Sequence, residues 1–286
     1  MVWDVKDKTV LVTGASSGIG KATAAGLAAC GARVVMASRT GKRGEKARRD
    51  VARRSGNDTV DLIVADLSTT GGVKGLAGAF RARHDRLHVL VNNAALVTSS
   101  RRVTTEGFEL QFFVNYLAHF LLTHLLLDTL TACAPARIVN VTSTAHSSGT
   151  IDFDDLQCER TYKGYKMYAN TKLMDMVFTY ELSRRLQGTG VTANCVHPGI
   201  IHTNLLRNYS SVLHLAFHAF GAFFKQPDEG AETPVYLASS PDVDGVTGKY
   251  FKRCAPLGSS AESTDEDVQR RLWETSAALL GLDAGA

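Results

Sequence analysis

The sequence predicts an α/β fold, with a single doubly wound parallel sheet and helices on both faces. Short β-branched runs alternate with longer amphipathic stretches from the N-terminus onward. Alternating β and α segments of this kind produce parallel strands joined by crossover helices. No internal repeat, low-complexity tract or Pro/Ser-rich linker interrupts the order. We therefore expect residues 1–286 to form one domain.

Six apolar runs bounded by Gly, Asn or charged residues are typical of strands buried on both faces. These predicted strands are Thr9–Thr13, Arg33–Ala37, Val60–Ala65, Leu87–Val91, Arg137–Thr142 and Val191–Val196. Helices are predicted over residues 19–30, 42–55, 70–84, 105–130, 162–187 and 228–239. A last short strand is predicted at Lys249–Phe251, and residues 255–286 are left as a C-terminal tail.

Two segments depart from this alternation. Residues 144–165 form a connection longer than the usual ~2–6 residues between a strand and a helix, and such loops are usually functional. Residues 205–224 are almost free of charge and place four apolar side chains on one stripe of a helix. The stripe consists of Leu213, Phe217, Phe220 and Phe224. It fits a core segment, a lid over a substrate pocket, a dimer surface or a patch that touches a membrane.

The formal net charge of +4 comes from one short region. Residues 39–54 hold eight basic and two acidic side chains, so the rest of the chain carries a net charge of −2. A charge excess confined to one segment does not indicate a nucleic-acid-binding surface and calls for a local explanation. The hydrophobic fraction of 44% excludes an intrinsically disordered chain.

The cysteines and the N-terminus bear on where the protein resides. The five cysteines are widely spaced, without any Cys-x-x-Cys or Cys/His ligand pattern, so we expect reduced thiols, no metal site and a cytoplasmic protein. The N-terminal segment carries charges and no apolar run, so no secretory signal is expected. The apolar stretch from Phe112 to Leu127 is short and broken by polar residues, which predicts a buried helix and no transmembrane segment.

The first predicted strand runs into a glycine-rich turn that leads into a helix. Three glycines in this context let the backbone turn tightly and bring amide groups and a helix N-terminus up to a pyrophosphate. Glycines that only end a strand are the alternative, and the following helical pattern disfavours it. The predicted cofactor contacts of this turn are Gly14, Ser16, Ser17, Gly18, Ile19 and Gly20.

The end of the second predicted strand lacks the acidic residue that binds the ribose 2′-hydroxyl of NAD in dinucleotide folds. Arg39 stands there instead, and a guanidinium matches the geometry of a phosphate group. Arg39 therefore predicts NADP(H) as the cofactor, with Lys21 and Lys42 as weaker candidates for the same phosphate. The basic residues from Lys46 to Arg54 are interpreted mainly as a solvated helix face.

Four polar residues form the predicted catalytic group. Tyr168 and Lys172 are an i, i+4 pair on one face of a predicted helix. A nearby ammonium favours the ionised phenol, which suits the tyrosine to proton exchange with an alcohol or carbonyl. Ser143 stands at the C-terminal end of a predicted parallel strand, where open α/β sheets place their ligands. Asn115 interrupts an apolar helix, where its amide needs a polar partner.

Seven motifs in this order resemble the short-chain dehydrogenase/reductase family, over nearly the whole chain. The motifs are Thr13-Gly14-x-x-x-Gly18-x-Gly20, Asp66-Leu67, Asn92-Asn93-Ala94-Ala95, Asn115, Ser143, Tyr168-x-x-x-Lys172 and Pro198-Gly199. The resemblance implies a Rossmann-type sheet and hydride transfer between a nicotinamide cofactor and a carbonyl or alcohol carbon. It also implies a homodimer or homotetramer, because relatives usually pair through the helices that bear Asn115 and Tyr168.

The resemblance further assigns roles to the matched residues. Tyr168 is implied as the general acid/base and Ser143 as the residue that holds the substrate oxygen. Lys172 is implied to bind the nicotinamide ribose and to lower the pKa of the phenol, and Asn115 to hold a water in a proton relay. The other implied cofactor contacts are Asp66 and Leu67 at the adenine, Asn92 and Ala94 along the cofactor, and Pro198, Gly199, Ile200 and Thr203 near the carboxamide.

Three longer segments resemble the retinol dehydrogenase group of that family. They are Asn115-Tyr-Leu-Ala-His119-Phe-Leu-Leu-Thr123, the Ser143–Tyr168 interval with Ile151-Asp-Phe-Asp-Asp-Leu156, and Gly245-Val-x-Gly248-Lys249-Tyr250-Phe251. The group typically acts on retinoids, steroids or other lipophilic alcohols and carbonyls, usually with NADP(H). Residues 200–226 are then implied to form an apolar lid, which suits a lipophilic substrate. Many of these relatives begin with a membrane anchor, whereas this sequence predicts at most peripheral membrane contact.

Other functions are weighed against this interpretation. A non-catalytic NADP(H)-binding sensor or scaffold is the main alternative, because a fold alone does not establish function. Hydrolysis by Ser143 is disfavoured, since no Gly-x-Ser-x-Gly motif surrounds it. No histidine spacing resembles a zinc site. His119 and His197 are interpreted as structural, and His146 and His202 as candidate substrate contacts.

Overall fold

The computed structural model describes residues 3–199 and 226–285, and these residues form a sheet of eight strands in the order β3-β2-β1-β4-β5-β6-β7-β8. The strands are β1 (Thr9–Val12), β2 (Arg33–Ser38), β3 (Val60–Val64), β4 (Val89–Asn92), β5 (Ala136–Val141), β6 (Val191–His197), β7 (Tyr250–Lys252) and β8 (Ala255–Leu257). All neighbours pair in parallel except β7 and β8. The order reverses between β1 and β4, which is the predicted doubly wound arrangement.

Helices cover both faces of the sheet. They are α1 (Gly18–Ala29), α2 (Gly41–Ser55), α3 (Thr70–Arg83), α4 (Leu110–Ala132), α5 (Gly164–Arg185), α6 (Pro227–Ser239), α7 (Ala261–Thr264) and α8 (Glu266–Leu280). Successive residues of β1 point to opposite faces. Leu11 lies in the apolar core formed with α3, α4, α5 and α8, whereas Val10 and Val12 lie in the core formed with α1, α2 and α6.

The predicted strands and helices are confirmed, with two differences at their edges. Strand β3 is not buried on both faces, because it is the edge strand of the sheet and leaves Asp61 and Val64 exposed. The helix predicted from residue 105 begins at Leu110 instead. The Glu109 carboxylate accepts a hydrogen bond from the amide of Phe112 at 2.7 Å, which caps the helix at that point.

Helix α4 is long and apolar enough to cross a membrane, with a mean hydropathy of 1.4, but 78% of its apolar window is buried inside the fold. It is therefore a core helix, as predicted for Phe112 to Leu127. A π-helical turn, Phe113–Leu117, interrupts it near its start. Such turns often occur at functional sites, because they redirect side chains within a helix.

The C-terminal tail contains a strand and a helix that the sequence patterns do not predict. Strand β8 pairs with β7, and helix α8 packs on α4 and α5. The Trp273 ring lies 4.9 Å from that of Phe120 and 5.9 Å from that of Phe178, centroid to centroid. The Tyr116 and Ser276 hydroxyls hydrogen-bond at 2.6 Å. The predicted lid, residues 200–226, lies outside the described residues except for Gln226.

Candidate active site

A cavity of about 310 Å³ opens at the carboxyl end of the sheet, beside the point where the strand order reverses. Its walls come from the glycine turn, from the ends of β2, β3 and β5, from the segment after β4 and from α5. Open α/β sheets bind their ligands at this place. The predicted contacts that line the cavity are Gly14, Ser16, Ser17, Gly18, Ile19, Gly20, Arg39, Asp66, Leu67, Ala94, Tyr168, Lys172 and Pro198. Gly199 does not line it, and Ile200, His202 and Thr203 lie outside the described residues.

The glycine turn has the conformation that a phosphate-binding turn requires. Gly14 and Gly18 have φ angles of +64° and +56°, in the left-handed region that favours glycine. A Cβ on Gly14 would lie 2.9 Å from the Cα of Ala94. The backbone can therefore approach the segment after β4 only because no side chain intervenes.

Helix α1 begins at Gly18, immediately at the cavity. The N-cap residue Ser17 makes no side-chain hydrogen bond to the helix, and no acidic residue stands in the first turn. The first amides and the positive end of the helix dipole thus face the cavity. Together with the glycine turn, this N-terminus fits the pyrophosphate of a dinucleotide.

Gly20→Ala is expected to weaken dinucleotide binding at least tenfold and to destabilise the fold by about 1–3 kcal/mol. An added Cβ would lie 2.3 Å from the Asn93 amide nitrogen and 2.7 Å from the Gly14 carbonyl oxygen. Fluorescence titration with NADPH and chemical denaturation measure the two effects. The matched control is Gly75→Ala in α3, where nothing lies within 4 Å of the added Cβ, so unchanged binding and about 0.5–1 kcal/mol of stabilisation are expected. Full NADPH affinity in Gly20→Ala would contradict this role of the turn.

The segment after β4 contributes Asn93 to the cavity, whereas the side chain of Asn92 is buried away from it. The Asn92 amide donates to the Thr123 hydroxyl at 3.0 Å and to the Asn140 side-chain oxygen at 2.9 Å. The Asn93 amide donates to the Thr13 carbonyl oxygen at 2.8 Å and lies against the glycine turn. Consecutive residues of an extended strand point to opposite sides. Asn93 therefore reaches the cavity, whereas the predicted contact Asn92 points away from it.

Two arginines line the cavity beyond the end of β2. They are Arg39, as predicted, and Arg43, a basic residue of α2 for which no cofactor contact was predicted. Within the described part of the chain, neither makes an ion pair. The Lys21 ammonium instead lies 2.7 Å from the Asp50 carboxylate, and Lys42 does not line the cavity. The cation pair at this end is thus free to meet an anionic ligand group.

Tyr168 lies on the cavity wall, one helical turn before Lys172. Desolvation raises the pKa of the phenol above its ordinary value, and the Lys172 ammonium and a hydrogen bond from Ser143 act in the opposite direction. The phenol is therefore protonated at neutral pH and can act as a proton donor. Ser143 also holds its own loop, because its oxygen accepts a hydrogen bond from the Ala145 amide at 3.2 Å.

Asn115 lies in the π-helical turn of α4 and connects three parts of the site. Its side-chain oxygen accepts from the Leu96 amide at 2.8 Å, and its amide donates to the Leu96 carbonyl oxygen at 2.9 Å and to the Thr171 hydroxyl at 3.2 Å. These bonds join the segment after β4 to α5, next to Lys172. Asn115 itself does not line the cavity.

Two histidines support the loop that bears Ser143. The His146 Nδ1 donates to the Ser143 carbonyl oxygen at 2.8 Å, and its ring packs edge-on against Tyr250. The His197 Nδ1 accepts from the Thr144 amide at 3.2 Å. Desolvation, helped by the charges of Lys252 and His146, lowers the pKa of His197 to about 4. His197 is therefore a neutral structural group, and His146 supports Ser143 without lining the cavity.

Acidification is expected to destabilise the fold through His197. The unfolded state binds a proton at this residue below about pH 6.5, whereas the folded state resists it until about pH 4. The stability that His197 provides is complete above pH 6.5 and is lost as the pH falls towards 4, by about 3 kcal/mol. In His197→Asn the side-chain oxygen can accept from Thr144 without titrating. Denaturation at pH 7 and 4.5 should show a smaller pH loss in this variant, and an equal loss would contradict the assignment.

The described residues contain no group of three or more His, Cys, Asp or Glu side chains that could hold a metal ion. The site therefore consists of a cavity with a glycine turn at one side, two arginines at one end that have no ion-pair partner among the described residues, and Tyr168 and Lys172 on its wall, with Ser143 hydrogen-bonded to Tyr168. Such a set can bind an anionic dinucleotide and move a proton at a neighbouring carbon-oxygen group.

Comparison with known proteins places this arrangement in a family. The family model described as short chain dehydrogenase matches residues 8–213. Retinol dehydrogenase 12 of Mus musculus is 42% identical over 278 residues, which cover 97% of this chain and 88% of that protein. Retinol dehydrogenase 14 of Mus musculus is 45% identical over 289 residues, covering 96% and 86%.

Solved structures agree with the sequence relatives. An uncharacterized protein from Mycobacterium paratuberculosis superimposes with a TM-score of 0.80 at 32% identity, covering 99% of this chain and 96% of that chain. The RhlG/NADP active-site complex of Pseudomonas aeruginosa gives a TM-score of 0.69 at 26% identity, covering 87% and 95%. The chain therefore belongs to the short-chain dehydrogenase/reductase family, among whose members it is similar to retinol dehydrogenases.

Proposed function

We propose that this protein is an NADP(H)-dependent oxidoreductase that acts on the carbonyl or alcohol group of a lipophilic substrate. Membership of the family establishes an oxidoreductase of the hydride-transfer class. The observation that carries the choice of NADP(H) is the pair Arg39 and Arg43, which line the cavity without an ion-pair partner in the described ranges. A ribose 2′-phosphate is the group that two such guanidiniums suit.

Each part of the site has a task in this reaction. The glycine turn and the N-terminus of α1 would hold the pyrophosphate, Arg39 and Arg43 the 2′-phosphate, and Lys172 the nicotinamide ribose. The chemistry that a bound nicotinamide would supply is hydride transfer to or from the substrate carbon. Tyr168 donates its phenolic proton to the carbonyl oxygen on reduction and accepts the alcohol proton on oxidation. The Ser143 hydroxyl holds the substrate oxygen beside the phenol.

A lipophilic substrate is supported by the likeness to retinol dehydrogenases and by the uncharged sequence of residues 205–224, which lies outside the described residues. Aldehydes of ten or more carbons are expected to show kcat/KM values at least tenfold above those of three or four carbons. The reason is that each buried methylene contributes roughly 0.8 kcal/mol to binding. Steady-state kinetics over a chain-length series measure this. A flat series would contradict the proposed substrate class.

The proposed function is tested first by titrating the protein with NADPH and NADH, and then by following oxidation of the tighter cofactor against ketones, aldehydes and retinoids. Preference for NADPH and turnover of a bulky apolar carbonyl support the proposal. Tight NADPH binding without turnover across the panel would favour the non-catalytic sensor or scaffold. Preference for NADH would overturn the assignment of Arg39 and Arg43.

The proposal includes a cytoplasmic homodimer or homotetramer with at most peripheral membrane contact. All five cysteines are free, which supports a reducing compartment. Helix α8 covers one side of α4 and α5, the two helices through which relatives are implied to pair, with contacts from Trp273 and Ser276. An assembly formed on this side would therefore include α8 in its interface. Light scattering of the purified protein measures the mass directly.

A further inference from the structure

Behind Lys172 lies a row of buried polar groups to which the proposed mechanism gives no task. The Lys172 ammonium donates to Asp175 Oδ2 at 2.8 Å and to the Val141 carbonyl oxygen at 2.9 Å. Asp175 Oδ1 lies 3.0 Å from His119 Nδ1, and His119 Nε2 lies 2.8 Å from the Ala94 carbonyl oxygen. The exposed fraction is 1% for Lys172 and 0% for Asp175 and His119.

The two ring nitrogens of His119 both face oxygen acceptors. A neutral imidazole has one N–H, so it can satisfy either the Ala94 carbonyl or the Asp175 carboxylate, and the other nitrogen would then present a lone pair to an oxygen about 3 Å away. Such a contact in a buried site is strongly unfavourable. The geometry therefore requires one further proton between His119 and Asp175.

That proton belongs on His119, because the Lys172 ammonium also donates to Asp175 and so stabilises the carboxylate. The group then holds two positive charges and one negative charge, a net charge of +1. Lys172 is its member on the cavity wall and lies one helical turn from Tyr168, with its nitrogen 6.0 Å from the centre of the phenol ring. A fixed positive charge at this distance stabilises the negative charge that develops on the phenol oxygen.

We propose that His119 and Asp175 are positioning residues which hold a proton behind Lys172 and thereby maintain the net positive charge that acts on Tyr168. The proposal rests on the proposed function of Tyr168 as general acid/base. It adds to that function two buried residues, His119 on α4 and Asp175 on α5. Each of them stabilises the charged form of the other.

The other titratable groups around this row are neutral at neutral pH. Cys195 of β6 and Tyr116 of α4 face Asp175, and burial raises the pKa of both groups far above neutrality. On the other side of Tyr168, burial lowers the pKa of His146 and of His197. The ring of Tyr165 lies 6.3 Å from that of Tyr168. Lys172 and Asp175 are therefore the charged groups that act on the phenol, and His119 acts through its contact with Asp175.

Two substitutions keep hydrogen-bonding groups in this row but leave different net charges. In Asp175→Asn, the new side-chain oxygen can accept from Lys172 and its amide can donate to a neutral His119, so one negative and one positive charge disappear together and the net charge stays at +1. In His119→Asn, the new amide can donate to Asp175 but carries no charge. Lys172 and Asp175 then cancel, and the phenolate is disfavoured. A merely structural role would not separate the two variants in this way.

The charge balance is read from the titration of Tyr168 in the cofactor-free protein. The phenolate absorbance of Tyr168 is isolated by subtracting the titration of Tyr168→Phe. The apparent pKa of Tyr168 is expected to rise by about one unit in His119→Asn and to stay within a few tenths of a unit of the wild-type value in Asp175→Asn. The matched control is Tyr116→Phe on α4, which removes a buried hydroxyl without changing a charge and should leave the titration of Tyr168 in place. An unchanged pKa of Tyr168 in His119→Asn, or an equal rise in Asp175→Asn, would overturn the proposal.

The proton itself is observed by nitrogen NMR of the histidine rings. At pH 7 the wild-type protein should show both ring nitrogens of His119 protonated, and Asp175→Asn should show one. An unprotonated Nδ1 in the wild-type protein would refute the proposal. Both measurements work without cofactor or substrate, so they still decide this inference if the substrate panel shows no turnover and the proposed function fails. If turnover is found, the pH profile of alcohol oxidation should follow the shifts of the Tyr168 pKa.

Discussion

Tyr168→Phe is expected to reduce turnover by about 10²–10⁴-fold while NADPH affinity stays within a few-fold of the wild-type value. The substitution removes only the hydroxyl that exchanges the proton, and positioned proton transfer contributes a rate factor of this size. The ring stays on the cavity wall, so the phosphate and ribose contacts of the cofactor remain. Rapid-mixing kinetics and fluorescence titration separate the two quantities.

The matched control for this variant is Tyr165→Phe. Tyr165 belongs to the same helix, has 55% of its surface exposed and does not line the cavity, so its variant should keep full activity. Desolvation raises the pKa of Tyr168, so carbonyl reduction should be flat at neutral pH and fall only as the pH rises through that pKa. Alcohol oxidation should rise over the same range. A Tyr168→Phe enzyme with more than a tenth of the wild-type turnover would exclude the tyrosine as the proton donor.

The alternation of β-branched runs and amphipathic stretches predicts seven of the strands that the structure describes, because buried parallel strands and their crossover helices leave strong local patterns. The C-terminal elements are missed for a physical reason. Strand β8 has three exposed residues and so carries no apolar run. Helix α8 has an N-cap signal at Asp265, which accepts from the amides of Asp267 and Val268. Its burial depends on contacts with α4 and α5 that only the folded chain provides.

The site shows the same division between local and long-range information. The glycine turn is a local motif, and its positive φ angles follow from sequence and turn geometry. By contrast, Asn93 lines the cavity and Asn92 does not because of where β4 ends. Sequence patterns place the end of a strand only to within about two to four residues, so they do not distinguish two adjacent asparagines. The contact between His119 and Asp175 joins two residues that lie on different helices and are 56 positions apart in the sequence. Spacing rules for helices relate residues three or four positions apart on one helix, so they do not predict this contact.

The double variant Arg39→Ala/Arg43→Ala is expected to weaken NADPH binding by roughly 100-fold or more and to leave NADH binding within about threefold. A hydrogen bond to a charged group contributes about 1.5–3 kcal/mol, and the partial exposure of both arginines places the total at the lower end. NADH lacks the 2′-phosphate, so it loses no such contact. Fluorescence titrations with both cofactors at two salt concentrations measure the effect.

Helix α2 itself offers a control with the same change in net charge. Arg49 and Arg53 lie on α2 but do not line the cavity, so Arg49→Ala/Arg53→Ala should lower NADPH affinity only through weak, salt-screened attraction. If both double variants lose NADPH affinity equally, α2 attracts NADPH through its overall positive charge. The contact assigned between the two cavity arginines and the 2′-phosphate is then wrong. If only Arg39→Ala/Arg43→Ala loses it, the two cavity arginines recognise the 2′-phosphate by contact. The remaining charge of α2 then belongs to its solvated face.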